Sequence, residues 1–162
     1  ACVTYSDDRH VPADSPESNY GVTRPMLQAL GLPEERVLRV ETERPLDDAA
    51  EHFHNVLADF MLAGGRITLA LLGIGSDGHT CSLFTAEDLD RGAGRYAVAV
   101  PRPQPPHRVS VTPNTLVHCE RVVFVVSGED KTEVARQLRE SPDSLIAGQA
   151  VAGREEVELW QV

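Results

Sequence analysis

Leu69-Ala70-Leu71-Leu72-Gly73-Ile74-Gly75-Ser76-Asp77-Gly78-His79-Thr80-Cys81-Ser82-Leu83-Phe84 is the stretch on which the reading of this chain turns. The apolar run over residues 67–72 predicts a fully buried strand. It breaks into a turn whose three glycines let the backbone bend sharply and approach a ligand closely. The turn presents a carboxylate and an imidazole two residues apart, at the carboxyl end of the strand. Open α/β sheets place their ligands at that end. The segment is therefore read as a site.

Strands and helices alternate on both sides of it. Residues 1–6 read as a strand, with Asp7-Asp8-Arg9-His10-Val11-Pro12 as a charged turn at its carboxyl end. A helix is predicted over residues 21–30, stopped by Gly31, and a short strand over 36–40. The clearest helix spans 46–63, where Ala49, Ala50, Phe53, Val56, Leu57, Phe60 and Met61 recur at spacings of three and four. Strands follow at 96–100 and 109–112, joined by a proline-rich link, then a short helix at 113–118 and a strand at 122–127. A helix at 129–139 and a last strand at 157–162 close the order. The alternation implies an α/β fold: a single Rossmann-like domain over residues 1–162, with a largely parallel sheet flanked by helices.

Composition narrows the function classes. A net charge of −10 argues against nucleic acid or an anionic membrane as partner. No apolar run approaches the ~20 residues of a membrane span. Three widely spaced cysteines without a CxxC pair argue against a disulfide scaffold or a zinc site and fit a reducing, cytoplasmic compartment. His52 and His54 stand two apart on a helix and face different ways, and His10, His107 and His118 have no paired ligand spacing, so no metal is expected.

Residues 73–78 formally satisfy GxGxxG, the dinucleotide fingerprint. That motif asks for an acidic residue about 20 positions further on, and no Asp or Glu occurs between Arg91 and Cys119. His79 has the chemistry of a proton-transfer group. By spacing alone it reads equally as a histidine capping a backbone carbonyl. Asp7-Asp8-Arg9 could share a rim with His79, although alone it reads first as a solvated charged turn. Arg108 and Lys131 each flank a strand and could bind an anion, or be plain surface charges.

Taken together, three motifs resemble the 6-phosphogluconolactonase family, within the superfamily that includes glucosamine-6-phosphate isomerase/deaminase. Asp7-Asp8-Arg9-His10-Val11-Pro12 followed by Ser18-Asn19-Tyr20 is similar to the family's DERxVP and SNY. Residues 73–84 are similar to GxGxDGHTASLFP. Arg108 in a PPxRxS/T context, followed by Ser127-Gly128-Glu129-Asp130-Lys131, is similar to the third motif. Asp8 stands for the usual Glu, Cys81 for Ala and Thr85 for Pro. The family's glycine- and serine/threonine-rich phosphate loop, which precedes DERxVP, has no counterpart here, so the domain is expected to be truncated at both ends.

The resemblance implies hydrolysis of 6-phospho-D-glucono-1,5-lactone to 6-phosphogluconate, a step of the pentose phosphate pathway. It needs no cofactor, and its partner is a small sugar phosphate, acted on by a monomer or homodimer. By resemblance His79 is the general base, and Asp77 orients it or contacts the sugar. Arg9 stabilises developing negative charge, with Asp7 holding Arg9 or a substrate hydroxyl. Arg108 and Lys131 take the phosphate, and Asp8, Ser18, Asn19, Gly75, Gly78 and Thr80 line the substrate site. An isomerase/deaminase on an amino-sugar phosphate and a non-catalytic sugar-phosphate-binding domain are the alternatives.

Overall fold

The computed structural model describes residues 1–162. In chain order the elements are β1 (Val3–Thr4), β2 (Asp7–Arg9), α1 (Asn19–Ala29), β3 (Val37–Leu38), α2 (Leu46–Leu62), β4 (Ala70–Leu72), α3 (Ala86–Arg91), β5 (Ala97–Val100), β6 (Arg108–Val111), α4 (Pro113–Val117), β7 (Val122–Val126), α5 (Thr132–Glu140), α6 (Ile146–Ala150) and β8 (Glu158–Gln161). Parallel pairing joins β1 to β3, and joins β4, β7 and β8 in that order. A third sheet, β2-β6-β5, is antiparallel throughout. The fold is α/β, with the expected parallel pairing and one antiparallel sheet that the strand–helix alternation did not reveal. No helix is long and apolar enough to cross a membrane.

Helix α2 forms where its pattern places it. Ala49, Ala50, Phe53 and Leu57 make a buried stripe, Asp47 and Asp48 occupy the first turn, and Gly64-Gly65 follow its end. The acids complement the positive end of the helix dipole. The stripe packs on β5 and β6. Phe53 and Leu57 join Val40, Leu83, Val109 and Phe124 in one apolar core. Strand β7 lies between β4 and β8, and four of its five residues are buried, as expected of a strand covered on both faces.

Two expectations change. Asp7-Asp8-Arg9 is not a turn trailing the first strand but a strand in its own right, because the chain bends after β1 and pairs with β6. The run over 67–72 is not buried throughout. Leu72 is 3% exposed, whereas Leu69 and Leu71 are 45% and 58% exposed. Leu69 and Leu71 point to the face of β4 opposite Leu72, and that face is left uncovered.

Phe53 has no exposed surface and sits where α2 meets the sheets. Phe53→Ala is expected to cost about 3–5 kcal/mol of unfolding free energy, measured by urea denaturation. A loss well under 1 kcal/mol would contradict this placement of the core.

Candidate active site

The turn after β4 is folded upon itself by its own polar groups. Gly75 N–H donates to the His79 carbonyl at 2.8 Å, and Gly78 N–H donates to the Gly75 carbonyl at 2.9 Å. Thr80 Oγ1 donates to the Gly73 carbonyl at 2.8 Å. Gly78 has φ of +83°, which a residue with a Cβ rarely adopts. The backbone at Gly78 is tied to α6 by the Ala147 N–H, 2.8 Å from its carbonyl oxygen.

This fold brings Asp77 and His79 together. Asp77 Oδ1 lies 2.5 Å from His79 Nδ1 and also accepts the His79 backbone N–H at 3.3 Å. Partial burial pushes the Asp77 carboxyl up, but the hydrogen bonds from His79 outweigh this and leave it below the usual carboxylate range. A carboxylate only accepts, so in the neutral imidazole Nδ1 carries the proton and Nε2 keeps its lone pair. No protein group bonds Nε2. The His79 side chain is 28% exposed and that of Asp77 64%. The arrangement is a hydrogen-bonded carboxylate–imidazole pair with its basic nitrogen free, on an open face.

The segment after His79 latches this pair to the antiparallel sheet. Ser82 Oγ donates to Asp7 Oδ2 on β2 at 2.6 Å, and Ser82 N–H donates to Ser110 Oγ on β6 at 3.1 Å. Ser6 Oγ donates to the other Asp7 oxygen at 2.9 Å. Cys81, between these anchors, is the one non-glycine residue with positive φ, at +53°. Such a conformation is held only where the surroundings impose it. Desolvation of its sulfur, with the nearby Asp7 adding to it, raises the Cys81 thiol well above its ordinary range and so disfavours the thiolate.

Alternation along β2 sorts its three charges. Asp8 points inward and is 1% exposed, whereas Asp7 and Arg9 share the other face. Asp8 accepts the N–H groups of Arg9, Asn19 and Tyr20 and the Ser18 hydroxyl, at 2.8–3.2 Å. Ser18 is equally buried, and its Oγ caps α1 by accepting the Gly21 N–H at 3.0 Å. Asp8 and Ser18, expected to line the substrate site, have no free surface for a ligand and instead pin the start of α1 to β2. Asn19 Nδ2 donates to the Asp7 carbonyl at 2.9 Å.

Arg9 and Arg108 stand directly opposite each other in the β2–β6 register. Like charges in such a pair are unfavourable, and neither guanidinium has a carboxylate ion partner. Arg9 Nη1 donates to the Glu17 carbonyl and Arg108 Nη1 to the Pro106 carbonyl. Asp7 is engaged by the two serines rather than by Arg9, contrary to one expected role. Burial, then the charge of Arg9, makes the Arg108 proton less tightly held than usual. Lys131 ends a short 3₁₀ turn after β7 and makes no ion pair. Since β4 and β7 are parallel neighbours, Lys131 and the His79 loop both follow the carboxyl ends of their strands, at the same end of the sheet.

Two residues that the motifs left without a role also belong here. The Phe84 ring packs on the His79 imidazole with centroids 4.4 Å apart, and the Arg102 guanidinium lies over Phe84. Only the through-space packing reveals them.

The family model for glucosamine-6-phosphate isomerases/6-phosphogluconolactonase matches residues 1–160. The chain belongs to that family. It is 34% identical to rat 6-phosphogluconolactonase, over 96% of this chain and 63% of the rat protein. It is 36% identical to the human 6-phosphogluconolactonase, over 86% of this chain and 56% of that one. The chain thus spans about three fifths of the length of these relatives. Among solved structures, 6-phosphogluconolactonase from Thermotoga maritima superposes with a TM-score of 0.82 at 28% identity, covering 99% of this chain and 72% of that one. A monomeric glucosamine-6-phosphate deaminase superposes at 0.73 with 16% identity and shares the fold.

A methyl group on Gly75 would overlap His79 Nδ1, His79 Cε1 and Asp77 Oδ1. Gly75→Ala is therefore expected to part the pair while changing stability by no more than about 1 kcal/mol. Loss of the downfield Nδ1 proton resonance of His79 reads the effect. Persistence of that resonance would contradict the close packing around Gly75.

Proposed function

We propose that this domain carries the reaction centre for hydrolysis of 6-phospho-D-glucono-1,5-lactone to 6-phosphogluconate. The observation that carries the reading is the His79 imidazole, gripped through Nδ1 by Asp77 with Nε2 free, on a loop latched to a sheet face bearing the unpaired Arg9 and Arg108. A base beside uncompensated cations suits an anionic, electrophilic substrate. The relatives named 6-phosphogluconolactonase supply the substrate class.

In this reading Nε2 of His79 takes a proton from a water as its oxygen attacks the lactone carbonyl carbon. The carbonyl oxygen becomes an oxyanion, which Arg9 stabilises by charge and hydrogen bonding. The intermediate collapses by breaking the bond between that carbon and the ring oxygen. The departing ring oxygen takes the proton back from the imidazolium, so the histidine is regenerated and the product is an open-chain acid. Asp77 holds the tautomer and steadies the imidazolium, as a carboxylate does in hydrolytic triads. Arg108 offers a planar fork and Lys131 a point charge to the phosphoryl group. Gly75 and Gly78 shape the turn through their backbone bonds, while Asn19 and the buried Thr80, expected to meet the substrate, brace the cradle through side-chain bonds to the Asp7 and Gly73 carbonyls. Proton transfer and charge stabilisation suffice for these steps.

His79→Ala in the full chain is expected to lower kcat for the phosphorylated lactone by about 10²–10⁴-fold with an unchanged melting temperature. Turnover followed by acid release, alongside circular dichroism, makes the comparison. A folded variant that keeps near-normal kcat would remove His79 as the base.

A further inference from the structure

Arg102 is the cation that no family motif explains. Its guanidinium carbon sits 3.8 Å from the centroid of the Phe84 ring, which is van der Waals contact with the ring face. Phe84 in turn packs on His79. The Arg102 side chain forms no ion pair and donates no hydrogen bond within the protein. Its backbone is fixed, however, by an N–H donated to His107 Nδ1 at 3.0 Å. The His107 carbonyl accepts the N–H of His10, at the end of β2, at 2.8 Å. The loop carrying Arg102 is therefore anchored to the strand that carries Arg9.

A guanidinium laid over an aromatic face keeps its N–H donors at its rim, free to meet a planar or tetrahedral oxyanion. In a chain of net charge −10, seven of the fourteen arginines are ion-paired with carboxylates. Arg9, Arg102 and Arg108 are not, although they are close enough that the charges of Arg9 and Arg102 both act on Arg108. Asp7 and Glu17 offset part of the charge on Arg108 without ion-pairing it, and an anion would complete the cluster. A phosphoryl group, carrying about −1.5 to −2 charges at neutral pH, calls for more than one guanidinium.

The Phe84 ring touches both the Arg102 guanidinium and the His79 imidazole, and Arg102 itself makes no hydrogen bond to the Asp77–His79 pair.

We propose that Arg102 is a further substrate-binding residue, which joins Arg108 on the phosphoryl group while Phe84 seats it. The inference rests on the lactonase reading. It adds a specificity contact: Arg102 favours phosphorylated over unphosphorylated lactone without taking part in bond making.

Arg102→Gln and Arg102→Lys in the full chain test it, with kcat and KM measured on 6-phospho-D-glucono-1,5-lactone and on unphosphorylated D-glucono-1,5-lactone. For Arg102→Gln, KM for the phosphorylated lactone is expected to rise at least about tenfold, with kcat within about twofold of wild type. Its kcat/KM on the unphosphorylated lactone should not change, and Arg102→Lys should recover part of the lost affinity. An equal fall in kcat on both lactones would overturn the proposal, because Arg102 would then only be holding Phe84 and His79 in place. An unchanged KM would overturn it too. If the wild type hydrolyses neither lactone, the lactonase reading fails separately. Titration with inorganic phosphate then reads Arg102 alone: about tenfold weaker binding by Arg102→Gln supports the contact, and equal binding overturns it.

Discussion

Ser82 makes two hydrogen bonds on which the rest of the site depends. Its hydroxyl reaches Asp7, 75 residues away in sequence, and its N–H reaches Ser110, 28 residues away. Without them the glycine-rich turn would be a surface loop at the end of β4. With them it is clamped across the β2–β6 pair, and the imidazole is carried to the sheet face that presents Arg9 and Arg108. Ser82 and Ser110 are both buried and Asp7 is half-buried, so the clamp is largely shielded from water. Satisfied hydrogen bonds in such a setting hold a segment rigid, and the proposed general base needs that rigidity to stay aimed at its water. The left-handed backbone at Cys81 is consistent with a segment held from both ends.

The same clamp gathers charge against the trend of the chain. The protein is strongly acidic overall, yet Arg9, Arg102 and Arg108 lack acid partners while exposed arginines elsewhere, such as Arg91, Arg121 and Arg136, pair with glutamates. A positive patch on a negative molecule concentrates field lines and draws small anions to one face. Asp8 contributes by being elsewhere. Buried beneath the strand and saturated by α1, it fixes the geometry of β2 and leaves Asp7 and Arg9 on the site face.

Much of this arrangement was legible in the sequence, and for identifiable reasons. Helix α2 declared itself through its spacing, and the β4 turn through glycines that only a close approach requires. Residues 73–84 marked Asp77 and His79 as a site, but their spacing left open whether the two side chains meet, which the fold of the turn decides. Asp7 and Asp8 were both expected at the substrate, and only the β2–β6 pairing separates one into the core and the other onto the site face. The exposed Leu69 and Leu71 were misread because an apolar run signals a strand but says nothing of whether both its faces are covered. Phe84 and Arg102 were silent for another reason. Their contacts cross between segments, and neither residue type nor spacing announces a stack that forms only when the proline-rich loop lies over the His79 loop.

The central claim is that Asp77 fixes the proton on Nδ1 of His79 and leaves Nε2 free as the base. Nitrogen-15 NMR correlated to the ring carbon-bound protons of His79, recorded above the imidazole titration, reads the tautomer directly. The account predicts a protonated Nδ1 and a bare Nε2 in the wild type, with the preference lost in Asp77→Ala. A wild-type ring carrying its proton on Nε2 would contradict it.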